Sequence, residues 1–123
     1  MRIKITDVEL SKEKLKVGFS TEYGNAYGEW QGQKPTVGEI YDVEVDIDKK
    51  LVWNRDISYS AFSETKIFFE KGISIVAQVE RSQEGLIELR LGNTLLAIEV
   101  DSDLDIVNKY VQLTVEKIIL FPF

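Results

Sequence analysis

Four carboxylates alternate with apolar residues in one short segment: Asp42, Glu44, Asp46 and Asp48 interleave with Tyr41, Val43, Val45 and Ile47. In an extended strand successive side chains point to opposite faces, so the acids line one face at steps of about 7 Å and the apolar groups line the other. Carboxylates so spaced repel one another unless Lys or Arg from a neighbouring strand, or from a partner, lies between them. The strip is therefore either a wet sheet face compensated by cross-strand cations or a docking surface for a basic protein. A second set, Tyr23, Tyr27 and Trp30, falls in the segment from Ser20 to Gly38, which has no strong period and holds glycine at 24, 28, 32 and 38. As a long connection, it would offer rings that stack on a base, a sugar or a partner's side chain. As one more hairpin, Tyr23 and Tyr27 would flank an Asn25–Ala26 turn and Trp30 would plug a barrel end. The packed form is favoured, because large aromatics are usually mostly buried.

Other chemistry has little to work with. The chain has neither histidine nor cysteine, so the usual general base at neutral pH, thiolate nucleophiles, disulfides and the commonest transition-metal ligands are missing. Asp101, Asp103 and Asp105 have the spacing that opens a calcium loop. The sixth position would then be Ile106 where glycine makes the sharp turn, and the twelfth Gln112 where a bidentate glutamate is needed. A solvated acidic turn is the expected role of these residues. We expect a protein that is not an enzyme and carries no metal and no cofactor.

At 123 residues the chain suits one domain with its own core, residues 1–123. Fifteen basic against 21 acidic residues give a net charge of −6, with a pI near 4.7. That balance opposes long-range attraction to phosphate backbones and favours a basic protein over nucleic acid as partner. The apolar run Ile118–Phe123 is too short to span a bilayer, and no targeting segment opens the chain, so a cytoplasmic location away from membranes is expected.

The elements that must position these residues are strands, because period-two alternation dominates and no long helical stripe is present. After Ile47, the residues Leu51 and Trp53 continue an apolar face, which predicts a hairpin with Ile47 opposite Leu51 and Val45 opposite Trp53. Ile87, Leu89 and Leu91 precede Gly92–Asn93, and Leu96, Ile98 and Val100 follow. Glycine first in a two-residue loop predicts a type II′ turn, with Leu89 opposite Leu96 and Ile87 opposite Ile98. Ile73, Ile75, Ala77 and Val79 supply the first strand of that meander. Val111, Leu113 and Val115 change phase to Ile118 and Leu120, predicting a bulge or burial on both faces. Ile3 and Ile5 change phase to Val8 and Leu10, predicting a bent or bulged first strand, with Leu15, Val17 and Phe19 next. Ser63–Lys71 reads as a strand in preference to a helix, and Asp101–Lys109 as a polar connection with room for one helical turn. No repeat of 20 to 50 residues is visible.

Together these predict a mostly antiparallel, all-β fold, a small bulged barrel with at most one short helix. The three-stranded meander, polar connection and long final strand of about the last 50 residues are similar to part of an oligonucleotide/oligosaccharide-binding (OB) barrel. The likeness is one of topology and transfers no residue. Ile118–Phe123 should close the barrel against the first strand, the other use of so apolar a terminus being a homodimer through the C-terminal strand. The expected function is an acidic protein-binding module, of the inhibitor or immunity type, docking through Asp42, Glu44, Asp46 and Asp48 onto a basic partner. The alternative is a ligand-binding barrel that stacks single-stranded nucleic acid or a glycan on Tyr23, Tyr27 and Trp30.

Overall fold

A computed structural model describes residues 1–123. The chain is all β: β1 (Arg2–Ser11), β2 (Lys14–Thr21), β3 (Gly24–Trp30), β4 (Ile40–Asp46), β5 (Ile57–Tyr59), β6 (Lys66–Phe69), β7 (Ile73–Gln83), β8 (Leu86–Leu91), β9 (Thr94–Glu99), β10 (Tyr110–Val115) and β11 (Ile119–Pro122). There is no helix, and so none long and apolar enough to cross a membrane.

Five strands close into a barrel in the order β1-β2-β3-β11-β4, with β4 returning to β1. All pairs are antiparallel except β11 with β3. Inward-facing Ile3, Ile5, Val17, Phe19, Val43, Val45 and Leu120 fill it. The phase change in β1 is a bulge between Ile5 and Asp7, as the alternation predicts. The remaining strands form a second sheet in the order β5-β10-β7-β8-β9, with β6 also pairing with β7. The predicted hairpin is present, with Leu89 opposite Leu96 and Ile87 opposite Ile98. Gly92 takes φ 63° at the first turn position, the left-handed value a type II′ turn needs. Ile73–Ala77 are buried on both faces, where β7 is flanked by β6 and β10. Ser74, the one buried polar residue, shares a 2.9 Å hydrogen bond with Thr114.

The two sheets repeat one plan. Each starts with a strand bulged at one position, between Ile5 and Asp7 in β1 and between Val79 and Arg81 in β7. At each bulge the same three backbone hydrogen bonds recur: Gly38 N to Ile5 O (2.8 Å), Ile5 N to Glu39 O (2.9 Å) and Glu39 N to Thr36 O (3.0 Å), against Asn108 N to Val79 O (2.8 Å), Val79 N to Lys109 O (2.9 Å) and Lys109 N to Ile106 O (3.0 Å). Gly38 and Asn108 both take positive φ there, 95° and 69°. A meander follows in each, and then a strand that returns to the first, β4 on β1 and β10 on β7.

The closing strands are exchanged. Leu51, which follows β4, bridges in parallel to Val100 at the end of β9, and Ile57–Tyr59 then pairs with β10, so the segment from Leu51 to Tyr59 joins the two edges of the second sheet. Leu120, which follows β10, pairs in parallel with Trp30 in the first barrel. The bonds correspond: Gln31 N donates to Leu120 O (2.9 Å) and Asp101 N to Leu51 O (3.0 Å). Each half of the chain thus completes the other's sheet.

This exchange corrects three expectations. Val45 lies opposite Leu120 rather than Trp53, and Ile47 and Leu51 do not pair, because Asp48–Lys50 crosses between sheets. The phase change after Val115 is likewise a crossing, neither a bulge nor a strand buried on both faces. The C-terminal strand does close the barrel, but between β3 and β4. The alternation identifies the buried residues in each case; a crossover that preserves the inward face has the same period as a hairpin. Ser63–Lys71 contains a strand, β6, and Asp101–Lys109 turns without forming a helix.

Candidate functional site

Two surfaces of the first barrel carry organised chemistry. On the outer face of β4, Asp42, Glu44, Asp46 and the following Asp48 are all exposed, while Val43, Val45 and Ile47 are buried. The register decides which carboxylates are compensated. Arg2 lies opposite Asp42, with Nε 3.4 Å from the carboxylate, and Lys117 reaches Asp48 at 3.5 Å. Glu44 lies opposite Phe121 and Asp46 opposite Ile119, and neither carboxylate makes an ion pair. Directly opposed residues share a face, so two free carboxylates alternate with apolar side chains from β11. Phe121 and Phe123 are exposed, Phe123 by 79%, and the Phe123 amide donates to Asp42 O (3.0 Å). The buried N-terminal ammonium donates to Val43 O (2.9 Å); burial lowers its pKa, against the raising effect of Asp42 and Glu44.

The second surface is an open groove of about 510 Å³ across the outer face of β2 and β3, lined by Lys12, Lys14, Lys16, Tyr27, Glu29 and Lys117 among others. Lys12 sits at the tip of the β1–β2 turn, Lys14 and Lys16 on β2, and Lys117 in the crossing before β11. Glu29 is the fixed point: it is paired with Lys14 (3.8 Å) and Lys117 (3.5 Å), and its side chain is only 14% exposed. Asp48 and then Glu29 raise the pKa of Lys117, so it stays cationic where the two crossing segments meet. The Lys16 ammonium stands 3.9 Å over the Tyr27 ring, which also meets Phe69 of β6 at 5.0 Å.

The aromatic trio is not one platform. Residues 20–30 belong to a β2–β3 hairpin with its turn at Glu22–Tyr23, so Asn25 and Ala26 lie within β3 rather than in a turn, and the connection without a strand is residues 31–39, after Trp30. Tyr23 flanks Gly92 of the other sheet and accepts at its carbonyl from Ile67 N (3.0 Å). Trp30 is buried against Tyr41, ring centroids 5.0 Å apart, and donates from Nε1 to Gln33 O (2.8 Å). Tyr27 alone of the three faces the groove. β3 hides its period because its inward positions before Trp30 are Ala26 and Gly28, not large aliphatics. A Cβ on Gly28 would stand 3.0 Å from Leu120 Cδ1 and 3.1 Å from Ile118 Cγ1, so glycine makes room for the exchanged strand.

Comparison with protein-family models, curated proteins and solved structures finds no match to this chain. The function must therefore be argued from these surfaces. No group of three or more carboxylates converges in a way that could hold a metal ion, and Asp101 instead accepts from Trp53 N (2.9 Å), tying down the start of the closing segment of the second sheet. The lysines of the groove escaped the sequence reading because Lys117 is brought to Lys14 and Lys16 only by the exchange of β11.

Proposed function

We propose that this protein is a non-enzymatic, acidic protein-binding module of the inhibitor or immunity type, and that the outer face of β4 and β11 docks a basic partner. The observation that carries this reading is the register that sets Glu44 against Phe121 and Asp46 against Ile119 with no ion pair to a Lys or Arg of the chain. Interfaces place apolar or aromatic anchors at the centre and charged groups around them. Here the anchors would be Phe121 and Phe123, and the partner's Arg or Lys side chains would replace water at Glu44 and Asp46 while their stems cover the rings. A net charge of −6 supports steering of a basic partner, which makes association fast and salt-sensitive. The five-stranded closed barrel with a long excursion before its last strand supports an OB-like scaffold for this face.

The test is capture from the source cell at low salt with the natural chain and with the double variant E44K/D46K, both checked for an unchanged melt. A basic protein held by the natural chain, released by salt and lost by the variant supports the proposal. Equal recovery on both baits, or no basic protein at all, contradicts it.

A further inference from the structure

We propose that the edge of β1 beyond its bulge is a docking site for an extended peptide segment of a partner protein, which adds there as one more strand. The site lies at the other end of β1 from Arg2, the residue opposite Asp42, and does not depend on the acidic face. Three observations carry it.

The first is a row of free backbone groups. Lys12 and Glu13 take φ 51° and 64°, a type I′ turn that makes Ser11 and Lys14 the closing hydrogen-bonded pair. Hydrogen-bonded pairs recur at every second residue of an antiparallel ladder. Glu9 and Asp7 therefore bond to β2, while Leu10 and Val8 turn their N–H and C=O groups away from it. The same side of β1 is in use before the bulge. Ile3 lies opposite Tyr41 of β4, Ile5 N donates to Glu39 O (2.9 Å), and Ile5 O accepts from Gly38 N (2.8 Å). Past the bulge no strand continues that ladder. Val8 instead borders an open hollow of about 470 Å³, walled on its far side by residues 34–37.

The second is the side chains along this edge. Val8 and Leu10 share a face with Val17 and Leu15, and Leu10 is 68% exposed; Val37, 58% exposed, stands across the hollow. Asp7 and Glu9 are exposed on the other face. Neither makes an ion pair, since Lys16, opposite Glu9, stands over the Tyr27 ring and Lys14 is engaged by Glu29. Lys34, on the far wall, is exposed and free to turn to solvent. Directly opposed residues share a face, so the segment that fits has apolar side chains beside Val8 and Leu10 and a Lys or Arg beside Glu9. A second copy of this chain fits poorly, because the antiparallel register that sets Val8 against its Leu10 also sets Glu9 against Glu9.

The third is the matching place in the second sheet, where the edge is covered. With the turns and bulges aligned, Ser82 stands where Val8 does, and Leu104 and Ile106 stand where Lys34 and Thr36 do. Ser82 Oγ donates to Leu104 O, Leu104 packs against the core and Ile106 is buried. A stretch of chain with apolar side chains two residues apart thus seals that edge. In the first barrel Lys34 and Thr36 are exposed and only Pro35 between them is buried. The β1–β2 hairpin is also longer past its bulge, by the pairs Leu10 with Leu15 and Ser11 with Lys14, which β7 and β8 lack. The first barrel has more edge and less cover.

The experiment selects a phage-displayed library of random peptides of about ten residues, enough for one strand, on the whole natural chain. The enriched peptide, made synthetically, is then measured by fluorescence anisotropy. Enriched sequences should alternate apolar residues with positions that include Lys or Arg, and the bound peptide should slow amide exchange at Val8 and Leu10. Leu10→Pro removes one outward N–H and leaves the β1–β2 ladder whole, so it should weaken binding about ten-fold. E44K/D46K should change it by no more than about two-fold, which separates this site from the acidic face. Methylating alternate backbone nitrogens of the peptide keeps the test valid should Leu10→Pro fold poorly: one register should abolish binding and the other preserve it. No enrichment, equal binding to Leu10→Pro, equal effects of the two methylation registers, or a natural chain that is itself a dimer dissolved by Leu10→Pro would overturn the proposal.

Discussion

The two sheets are built on one backbone plan and differ in what they show to solvent. Their inward positions correspond as apolar pairs: Ile5 with Val79, Val17 with Ile87, Phe19 with Leu89, Val43 with Leu113, Val45 with Val115 and Leu120 with Leu51, all buried. Their outward positions diverge: Lys16 against Leu86, Gly18 against Glu88, Tyr27 against Ala97. The hydrogen-bonded frame and its filling are thus what the plan requires, and the solvent-facing side chains are free to differ. The comparison also shows why neither sheet closes by itself, because each lacks a strand that the other half of the chain supplies.

Removing Lys117–Phe123 should break this arrangement most severely. It takes Leu120 and Ile118 from the core and leaves β3 and β4 with unpaired edges. Buried side chains contribute about 1.5–3 kcal/mol each, so the loss approaches a whole domain's margin of about 5–15 kcal/mol. The truncated chain should show no cooperative thermal transition by circular dichroism. A folded, merely monomeric product would show instead that the C-terminus serves a subunit contact.

Smaller changes sharpen the comparison. Leu51→Ala and Leu120→Ala each empty a fully buried position and should each cost about 2–5 kcal/mol in denaturant melts; very unequal costs would mean that the two closures are not equivalent. Gly28→Val should cost about 1–3 kcal/mol through crowding of Leu120 and Ile118, whereas Ile98→Val at the matching place should cost only about 0.5–1.5 kcal/mol.

Acid should loosen the second closure first. Hydrogen bonding from Arg55, then from the Val52 amide (2.8 Å), holds the Asp56 pKa below the usual aspartate value, with Arg55 and Lys49 adding attraction. A carboxyl depressed in the folded state contributes stability that is present above its unfolded pKa and is lost as pH falls through the folded one. The segment from Leu51 to Tyr59 should therefore open below the ordinary aspartate range. Trp53, packed edge-on to Tyr59 at 5.2 Å, reports it, and Trp30 reports the first barrel. In W30F, acid should shift Trp53 emission in a step that Asp56→Asn removes; a step that survives this substitution would assign the acid sensitivity elsewhere.

Much of the fold is legible in the sequence, and the part that is not has one cause. Alternation identifies the inward faces of β1, β2, β4, β7, β8, β9 and β10, the bulge in β1 and the Gly92–Asn93 hairpin, because burial and turn chemistry are local properties. Partner strands are not local: Asp48–Lys50 and Glu116–Ile118 both connect strands across sheets, and period alone reads one as a turn and the other as a bulge or burial on both faces. The duplication is written in matching segments, Val37-Gly38-Glu39 with Val107-Asn108-Lys109 and Val43, Val45, Asp46 with Leu113, Val115, Glu116, at a spacing longer than the repeat lengths expected of solenoids. The acidic strip is legible for the same reason as the strands. The lysine groove is not, since its members lie on four separate segments.

Amide hydrogen exchange on Leu51→Ala and Leu120→Ala tests the exchange of closing strands most directly. The amides of Glu29 and Gln31 donate to Ile118 and Leu120, and that of Asp101 to Leu51. Leu120→Ala should therefore speed exchange in β3, early in the chain, while Leu51→Ala speeds it at Asp101 and along β9. Faster exchange confined to the half of the sequence that carries each substitution would contradict the exchanged closure.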